Sequence, residues 1–486
     1  MMFLDETQRD DIGLTFVLNE LSADSPFGGI QIGQVGVYGR HEKQKLLDEF
    51  YNISRALECV EKCEDLLSSM RRTLMRFKNI ANILKKMSIS YLHEIEFFEL
   101  KSFLLNLSKL SSEFSVLNAD ANFLDVRIED MEEALDILDP EKKRLIPFYL
   151  SEQYSKELFD VRSEKTRIEG LMHSEMDRVA LEELKIQRTV IVAKEEEAET
   201  AVKISLTEKL RPFLPLFEKN MDSIGKLDLT IQKALLAKKY NAVCPEINDG
   251  KMELEDMVNP AIDDVLKQQG KAFVPVSITM FQGTTLLTGA NMGGKSVAVK
   301  TAVLNICLCH MGFFIFAKRA KIPMFDGVYL ISEDLQSVSR GLSTFGAEIL
   351  YLNNIVKKAK CAYLFIALDE FARGTNPEEG AIIVRAVARY LNKLKSITIM
   401  TTHYDKIAEE GFNQYQIAGL ADIDFAKLSE KIVKATESSV DLISKHMDYR
   451  LLKVDGSCAP PHDALNICRL LALDGDILDM IEERYN

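Results

Sequence analysis

Apolar and polar positions from residue 1 to about 240 follow helical patterns almost throughout, and between Asn52 and Lys209 the only prolines are Pro140 and Pro147, so helix is expected across this half. Over 67–84 the positions Leu67, Met70, Leu74, Phe77, Ala81 and Leu84 alternate steps of three and four. That spacing predicts one helix, laid along a partner either as a coiled-coil seam or as an ordinary core-facing stripe of a bundle. Around 150–210 two charged helical stretches flank the apolar run from Thr189 to Val192, which is expected to be a return strand between long antiparallel helices. Gly28, Gly29, Gly33, Gly36 and Gly39 have neither a following Lys-Ser nor GxGxxG spacing, and are expected to form a turn-rich loop. From about 244 short apolar runs alternate with helical segments, which predicts an α/β domain with a mainly parallel sheet. The expected strands are Thr285–Thr288, Val328–Ile331, Tyr363–Leu368 and Thr398–Thr401, and the expected helices 295–310, 343–359 and 377–394.

Composition narrows the class. The 486 residues carry a formal net charge of -14, are 47% hydrophobic and 28% charged, and include no Trp. Such a chain is neither a single small module nor disordered. Its acidity disfavours polyanion binding over the whole surface but not along a local stripe. One such stripe exists: 66–90 contains Arg71, Arg72, Arg76, Lys78, Lys85 and Lys86 and no acidic residue. Arg71, Lys78 and Lys85 are seven apart, so on one helix they share a face; that face either tracks a polyanion, is simply solvated, or pairs with the acidic run from Glu129 to Glu141. The acidic start predicts no export leader and a cytoplasmic location. The longest apolar stretch, Ala302 to Ala317, is too short for a membrane span and is expected to be a buried helix and strand. The eight cysteines show no CxxC pair and are expected to be reduced core residues; Cys59 and Cys63, one helical turn apart, lack further metal ligands.

Chemistry concentrates in the second half. Residues Gly289 to Ser296 read GANMGGKS, a full match to GxxxxGK[ST], after an expected strand and before an expected helix. Glycines there let backbone N–H groups face phosphate oxygens, the helix N-terminus adds its positive end, Lys295 neutralises phosphate and Ser296 offers a hydroxyl to Mg²⁺. The candidate phosphate-binding residues are Gly289, Ala290, Asn291, Met292, Gly293, Gly294, Lys295, Ser296 and, in the first helical turn, Val297. The run LFIALDE ends a strand in Asp369, a metal ligand, and Glu370, which orients or deprotonates the attacking water. A third strand ends in Thr402 and His403, placing His403 to contact the γ-phosphate or the lytic water.

These motifs together resemble the MutS family of ATPases, relatives of the ABC-type P-loop proteins. GANMGGKS is similar to the family's G-P-N-M-G-G-K-[ST], with Ala290 in place of proline; DLQSVSRGLSTFGAE (334–348), DEFARGT (369–375) and Thr402-His403-Tyr404 are similar to its other signatures. The 227–247 stretch resembles the helix leading into the ATPase domain, and Phe273 to Ile278 the strand before it. The resemblance implies ATP and Mg²⁺ as ligands and a homodimer with composite sites. Ser343 and Thr344 would act on the partner's ATP, Asn291 would touch phosphate or water, and Asp334 and Gln336 would line the site. It also implies an all-α core, lever and shortened clamp over 1–243, an ABC-type P-loop domain over 244–445, and dimer-holding helices over 446–486. Mismatch-recognition and connector domains are not expected, nor the nuclease-type extension usual in the second bacterial type. A Phe-x-Glu tripeptide, like the family's mismatch wedge, occurs at Phe97–Glu99 inside a helical stretch and is expected to be coincidental. Two functions fit: ATP-driven arms closing on DNA in repair or recombination, or an ATP-dependent remodeller of a protein client, as in reactivation of a B12-dependent aminomutase.

Overall fold

A computed structural model of the chain describes residues 3–289, 294–332, 344–404, 407, 411–419, 447–454, 463–471 and 473–485. The chain forms two compact units, each built from separate stretches: Ser22–Gln34 with Arg55–Gln232, and Met1–Leu21 with Val35–Ser54 and Lys233–Asn486.

The first unit is helical. Its longest helices are Glu94–Ala121, Lys156–Ser174 and Arg178–Leu210. The expected single helix over 67–84 is two, Glu64–Leu74 and Ala81–Ile89. Between them the chain turns, the Asn79 side chain accepts from the Ala81 N–H at 3.0 Å, and Phe77 swings inward against Phe27 and Phe103. Buried Ile80 and Ile83 take over from Ala81, which is exposed, so the seam breaks at that point. The run Thr189–Val192 is not a strand. It lies inside the helix Arg178–Leu210, where Val190 is 52% exposed, and that helix is tied to Lys156–Ser174 by Arg162 to Glu195 and Glu199 and by Arg188 to Glu169. Four apolar residues cannot override the helix-favouring residues on either side.

The glycine cluster is likewise helical in part: Pro26–Gly33 is a helix, with Ser25 capping it and Pro26 in its first turn. Gly28 is there for closeness. A Cβ on it would stand 2.1 Å from an oxygen of Asp228, a fully buried carboxylate that accepts hydrogen bonds from the backbone and hydroxyl of Ser25 at 2.7 Å. Phe97, of the wedge-like tripeptide, is a core residue at 0% exposure, its ring 5.3 Å from that of Phe148 and tilted against it.

The second unit holds two sheets. Its strands are β1 (Glu246–Asn248), β2 (Lys251–Met257), β3 (Val276–Phe281), β4 (Gly283–Thr288), β5 (Arg319–Pro323), β6 (Gly327–Ile331), β7 (Leu364–Leu368), β8 (Ile397–Thr401), β9 (Asn413–Gly419) and β10 (Asp448–Lys453). The six-stranded sheet runs β10-β9-β4-β8-β7-β6, parallel except for β10. The expected strands all fall in it, and the helices Lys295–His310, Thr344–Ala359 and Pro377–Asn392 match the expected ones within two residues. β7 and β8 are buried at every position, as strands covered on both faces must be. A second sheet, β1-β5-β2-β3, was not expected; two of its three pairings are antiparallel, so the unit's sheets are mixed. The apolar stretch 302–317 is buried, but after its helix it contributes a single bridge, Ile315 to Val243, in place of a strand. Among the described residues no helix is long and apolar enough to cross a membrane. Cys59, Cys307 and Cys309 are core residues; Cys244 and Cys361 are exposed, and Cys458 lies outside the described residues.

The first residues of the chain belong to this α/β unit, which the linear division at 243 does not anticipate. Gln8 donates to the carbonyl of Leu330 at 2.9 Å, covering the edge strand β6, and buried Asn259 donates to that of Ile12 at 3.0 Å. The Tyr38 N–H donates to the carbonyl of His310 at 2.7 Å. The His310 ring, 0% exposed, accepts from the Phe325 N–H at 3.3 Å through Nε2 and donates from Nδ1 to the Tyr38 carbonyl at 3.0 Å.

Burial pushes the His310 imidazole from its ordinary 6.5 down to about 4, against the opposing pull of its hydrogen bonds and of Asp326. The folded chain keeps the ring neutral, whereas the unfolded chain protonates it below 6.5. Its contribution to stability is therefore present at neutral pH and is lost as pH falls toward the folded value. The α/β unit should lose about 2 kcal/mol between pH 7 and pH 5 from this group. Urea titrations at the two pH values check this: His310→Gln should be less stable at pH 7 and show a correspondingly smaller loss at pH 5.

Candidate functional site

The carboxyl ends of β4, β7 and β8 lie side by side because these strands are adjacent and parallel, with Leu287 paired to Thr401 and Leu368 to Met400. Crevices at the carboxyl ends of open parallel sheets are where such folds bind ligands.

After β4 the backbone turns at Gly289, whose φ of 127° suits only glycine, and enters the helix Lys295–His310 through Gly294, with φ 82°. Lys295, 2% exposed at the start of this helix, donates to the carbonyl of Gly289 at 2.6 Å. Burial pushes its ammonium below the ordinary lysine value, Glu370 and Asp369 pull it up, and Arg373 pushes it down. Ser296 and Val297 stand half-buried in the first helical turn. Ala290, Asn291, Met292 and Gly293 lie outside the described residues.

At the end of β7, Asp369 and Glu370 are 5% and 8% exposed. One hydroxyl organises both. Thr401, the last residue of β8, donates to Asp369 Oδ1 at 2.7 Å and accepts from the Glu370 N–H at 2.7 Å. Glu370 has φ 50°, and its carboxylate pairs with Arg373 at 2.8 Å. His403 follows β8 and is exposed, its ring 4.2 Å from that of Tyr404. Burial pushes its imidazole down, Glu370 pulls it up, and Lys295 and Arg373 push it down, so at neutral pH the ring is uncharged. Lys295, Asp369, Glu370 and His403 thus share one electrostatic neighbourhood. Asp334, Gln336 and Ser343 lie outside the described residues; Thr344 begins the helix Thr344–Ala359 by its backbone, and its side chain also lies outside.

Sequence reasoning missed Thr401, Arg373 and Tyr449. Arg373 lies in the quoted DEFARGT, three residues after Glu370, and Thr401 ends an expected strand directly before Thr402; those positions were the available signal. Tyr449, on β10, lies 3.3 Å from where a Cβ on Gly294 would stand, a contact created by chain return over 155 positions that no local pattern announces. Far from these groups, a cavity of about 720 Å³ opens at the amino ends of the strands beside Gln282, Tyr363 and Lys395. Its Lys360 and Lys393 follow the carboxyl ends of two helices, where the helix dipole accounts for cations.

A buried cation at a helix N-terminus, two strand-end carboxylates and a neutral imidazole define an α/β domain with its polar groups gathered at one end of a parallel sheet. Residues 285–446 match the family model MutS domain V. A DNA mismatch repair protein MutS from Thermodesulfovibrio yellowstonii is 28% identical over 460 residues, covering 84% of this chain and 53% of its own. Endonuclease MutS2 from Agathobacter rectalis is 29% identical over 255 residues, covering 50% and 31%, and that from Caldicellulosiruptor saccharolyticus 28% over 352 residues, covering 66% and 44%. The chain spans about half or less of the length of these relatives. Through its α/β region the chain is similar to the MutS family.

Proposed function

We propose that the chain is an ATPase whose ATP-dependent dimer opens and closes helical arms on DNA. The convergence of buried Lys295 with Asp369 and Glu370 at adjoining strand ends supports this most. The residues fit a triphosphate with its metal: Lys295 is a desolvated cation that donates to the Gly289 carbonyl, and Asp369 keeps one carboxylate oxygen beyond its bond to Thr401. Asp369 and the Ser296 hydroxyl would hold Mg²⁺, which when bound draws charge from the bridging phosphate oxygens. Lys295 binds and neutralises the phosphates, and Gly294 and the start of the helix Lys295–His310 offer backbone N–H groups. Glu370 orients water and takes its proton, with Thr401 fixing the backbone from which it projects. Neutral His403 offers a hydrogen bond to the γ-phosphate or to that water. Asn291, Asp334 and Gln336 complete the site. Ser343 and Thr344 reach the partner subunit's ATP, and the helices Asp463–Leu470 and Gly475–Tyr485 hold the dimer.

The names of the relatives, a mismatch repair protein and an endonuclease, favour DNA as the partner. The basic segment supports it in narrower form than expected. Arg71 is paired with Asp24 at 2.6 Å, Lys78 with Glu99 at 3.6 Å and Lys86 with Glu96 at 2.7 Å, none of them in the run 129–141. The helix break also removes the shared face of Arg71, Lys78 and Lys85. Arg72, Arg76 and Lys85 are exposed and carry no ion pair among the described residues.

The test is ATP hydrolysis by the intact chain together with duplex DNA affinity against salt. Replacing Arg72, Arg76 and Lys85 by Gln should weaken binding and flatten the log–log salt slope by up to about 3. Affinity indifferent to salt, or none for any DNA, overturns the DNA reading in favour of a protein client.

A further inference from the structure

Beside the catalytic turn, one residue is held through the peptide groups on both its sides. Ala372, two residues after Glu370, has φ 63°, a conformation that a residue with a Cβ adopts at a cost and keeps only when its surroundings impose it. Its N–H donates to Glu348 Oε2 at 3.0 Å, and its carbonyl accepts from the Tyr404 hydroxyl at 3.1 Å. Glu348 is 7% exposed and belongs to the first turns of the helix Thr344–Ala359. Tyr404 directly follows His403. Space for the phenol is provided by Gly380, in the helix Pro377–Asn392: a Cβ there would stand 2.3 Å from the Tyr404 oxygen. Three separate stretches of chain therefore meet on a single residue of the turn that carries Glu370, at the peptide groups on either side of its Cα: the helix after Ser343, the Asp369-Glu370 turn and the residues just after β8.

We infer that Glu348 and Tyr404 are positioning residues, which clamp Ala372 by the peptide groups on its two sides and so keep Glu370 aimed for hydrolysis while leaving nucleotide binding to Lys295. This inference rests on the ATPase reading. Displacing either clamp lets the left-handed turn relax and moves the Glu370 carboxylate, and small misplacements of a reacting group are costly to the rate. The clamp also gives the helix after Ser343 and the segment after His403 a direct hold on the hydrolytic carboxylate.

The experiment compares kcat and ATP affinity in Tyr404→Phe, Gly380→Ala, Glu348→Ala and Glu348→Gln, each checked for folding by circular dichroism. Tyr404→Phe, Gly380→Ala and Glu348→Ala should each lower kcat about tenfold with affinity within about twofold of the unmodified protein. Glu348→Gln, which keeps an accepting oxygen, should recover most of the turnover lost in Glu348→Ala. Tyr404→Phe removes one oxygen and decides the matter should Glu348→Ala fail to fold. An unchanged kcat in folded Tyr404→Phe, or equal losses of kcat and affinity, overturns the clamp with the ATPase reading intact. No turnover by the unmodified protein overturns the ATPase reading and the clamp with it.

Discussion

Glu370→Ala is expected to bind ATP as well as the unmodified protein and to turn it over about 100- to 10,000-fold more slowly, the range for loss of a positioned general base. Glu370 is 8% exposed, and its N–H is anchored to Thr401, so the substitution removes the carboxylate while the anchor through the backbone remains. Lys295→Ala should behave differently. That side chain is the buried cation beside Gly289, and its loss should abolish measurable ATP binding along with hydrolysis. Equilibrium binding of a fluorescent ATP analogue, measured beside steady-state turnover, separates the two. Full turnover by Glu370→Ala would remove Glu370 from the chemistry.

The second large effect is on folding. Gly28→Ala places a Cβ 2.1 Å from an Asp228 oxygen that lies in a closed network with Ser25 and Gln232. The Asp228 carboxyl is pushed up by burial and pulled down by these hydrogen bonds, so it depends on them in either protonation state. Moving it breaks buried hydrogen bonds and overpacks the helix crossing, for a cost of about 3 kcal/mol. Gly29→Ala is the control, because a Cβ there meets nothing within 4 Å. It should be neutral or slightly stabilising, since alanine favours helix over glycine. Denaturant titration of the helical unit's transition should show the large shift for Gly28→Ala alone; equal shifts in both would trace the effect to helix propensity.

Legibility of the fold followed the range of the forces involved. The strands β4, β6, β7 and β8 and the helices between them were readable because full burial demands uninterrupted apolar runs, and these are local. Thr189–Val192 misled because four β-branched or apolar residues look like a strand when viewed without the long helix around them. Ala81 misled because the three-four spacing counts positions, whereas the turn at 75–80 changes which residues the core receives. The second sheet escaped notice because it is closed by pairings of β1 and β2 with β5, across more than 60 residues.

The same division holds at the site. The glycines of GANMGGKS, Lys295, Ser296 and the Asp369-Glu370 pair have fixed spacing because each motif lies between a strand and the helix that follows it, so the sequence by itself determined which groups come to the strand ends. Only the tertiary structure decided how those turns are held. Thr401 joins Asp369 to Glu370, Glu348 and Tyr404 close on Ala372, and Gly380 yields its place to a phenol. It also decided which of the basic residues at 71–86 have an ion-pair partner among the described residues, since Asp24, Glu99 and Glu96 reach theirs from other parts of the chain. Hydrogen bonds and ion pairs act over a few ångströms in space irrespective of separation along the chain, so their partners exist only once the strands and helices have been brought together.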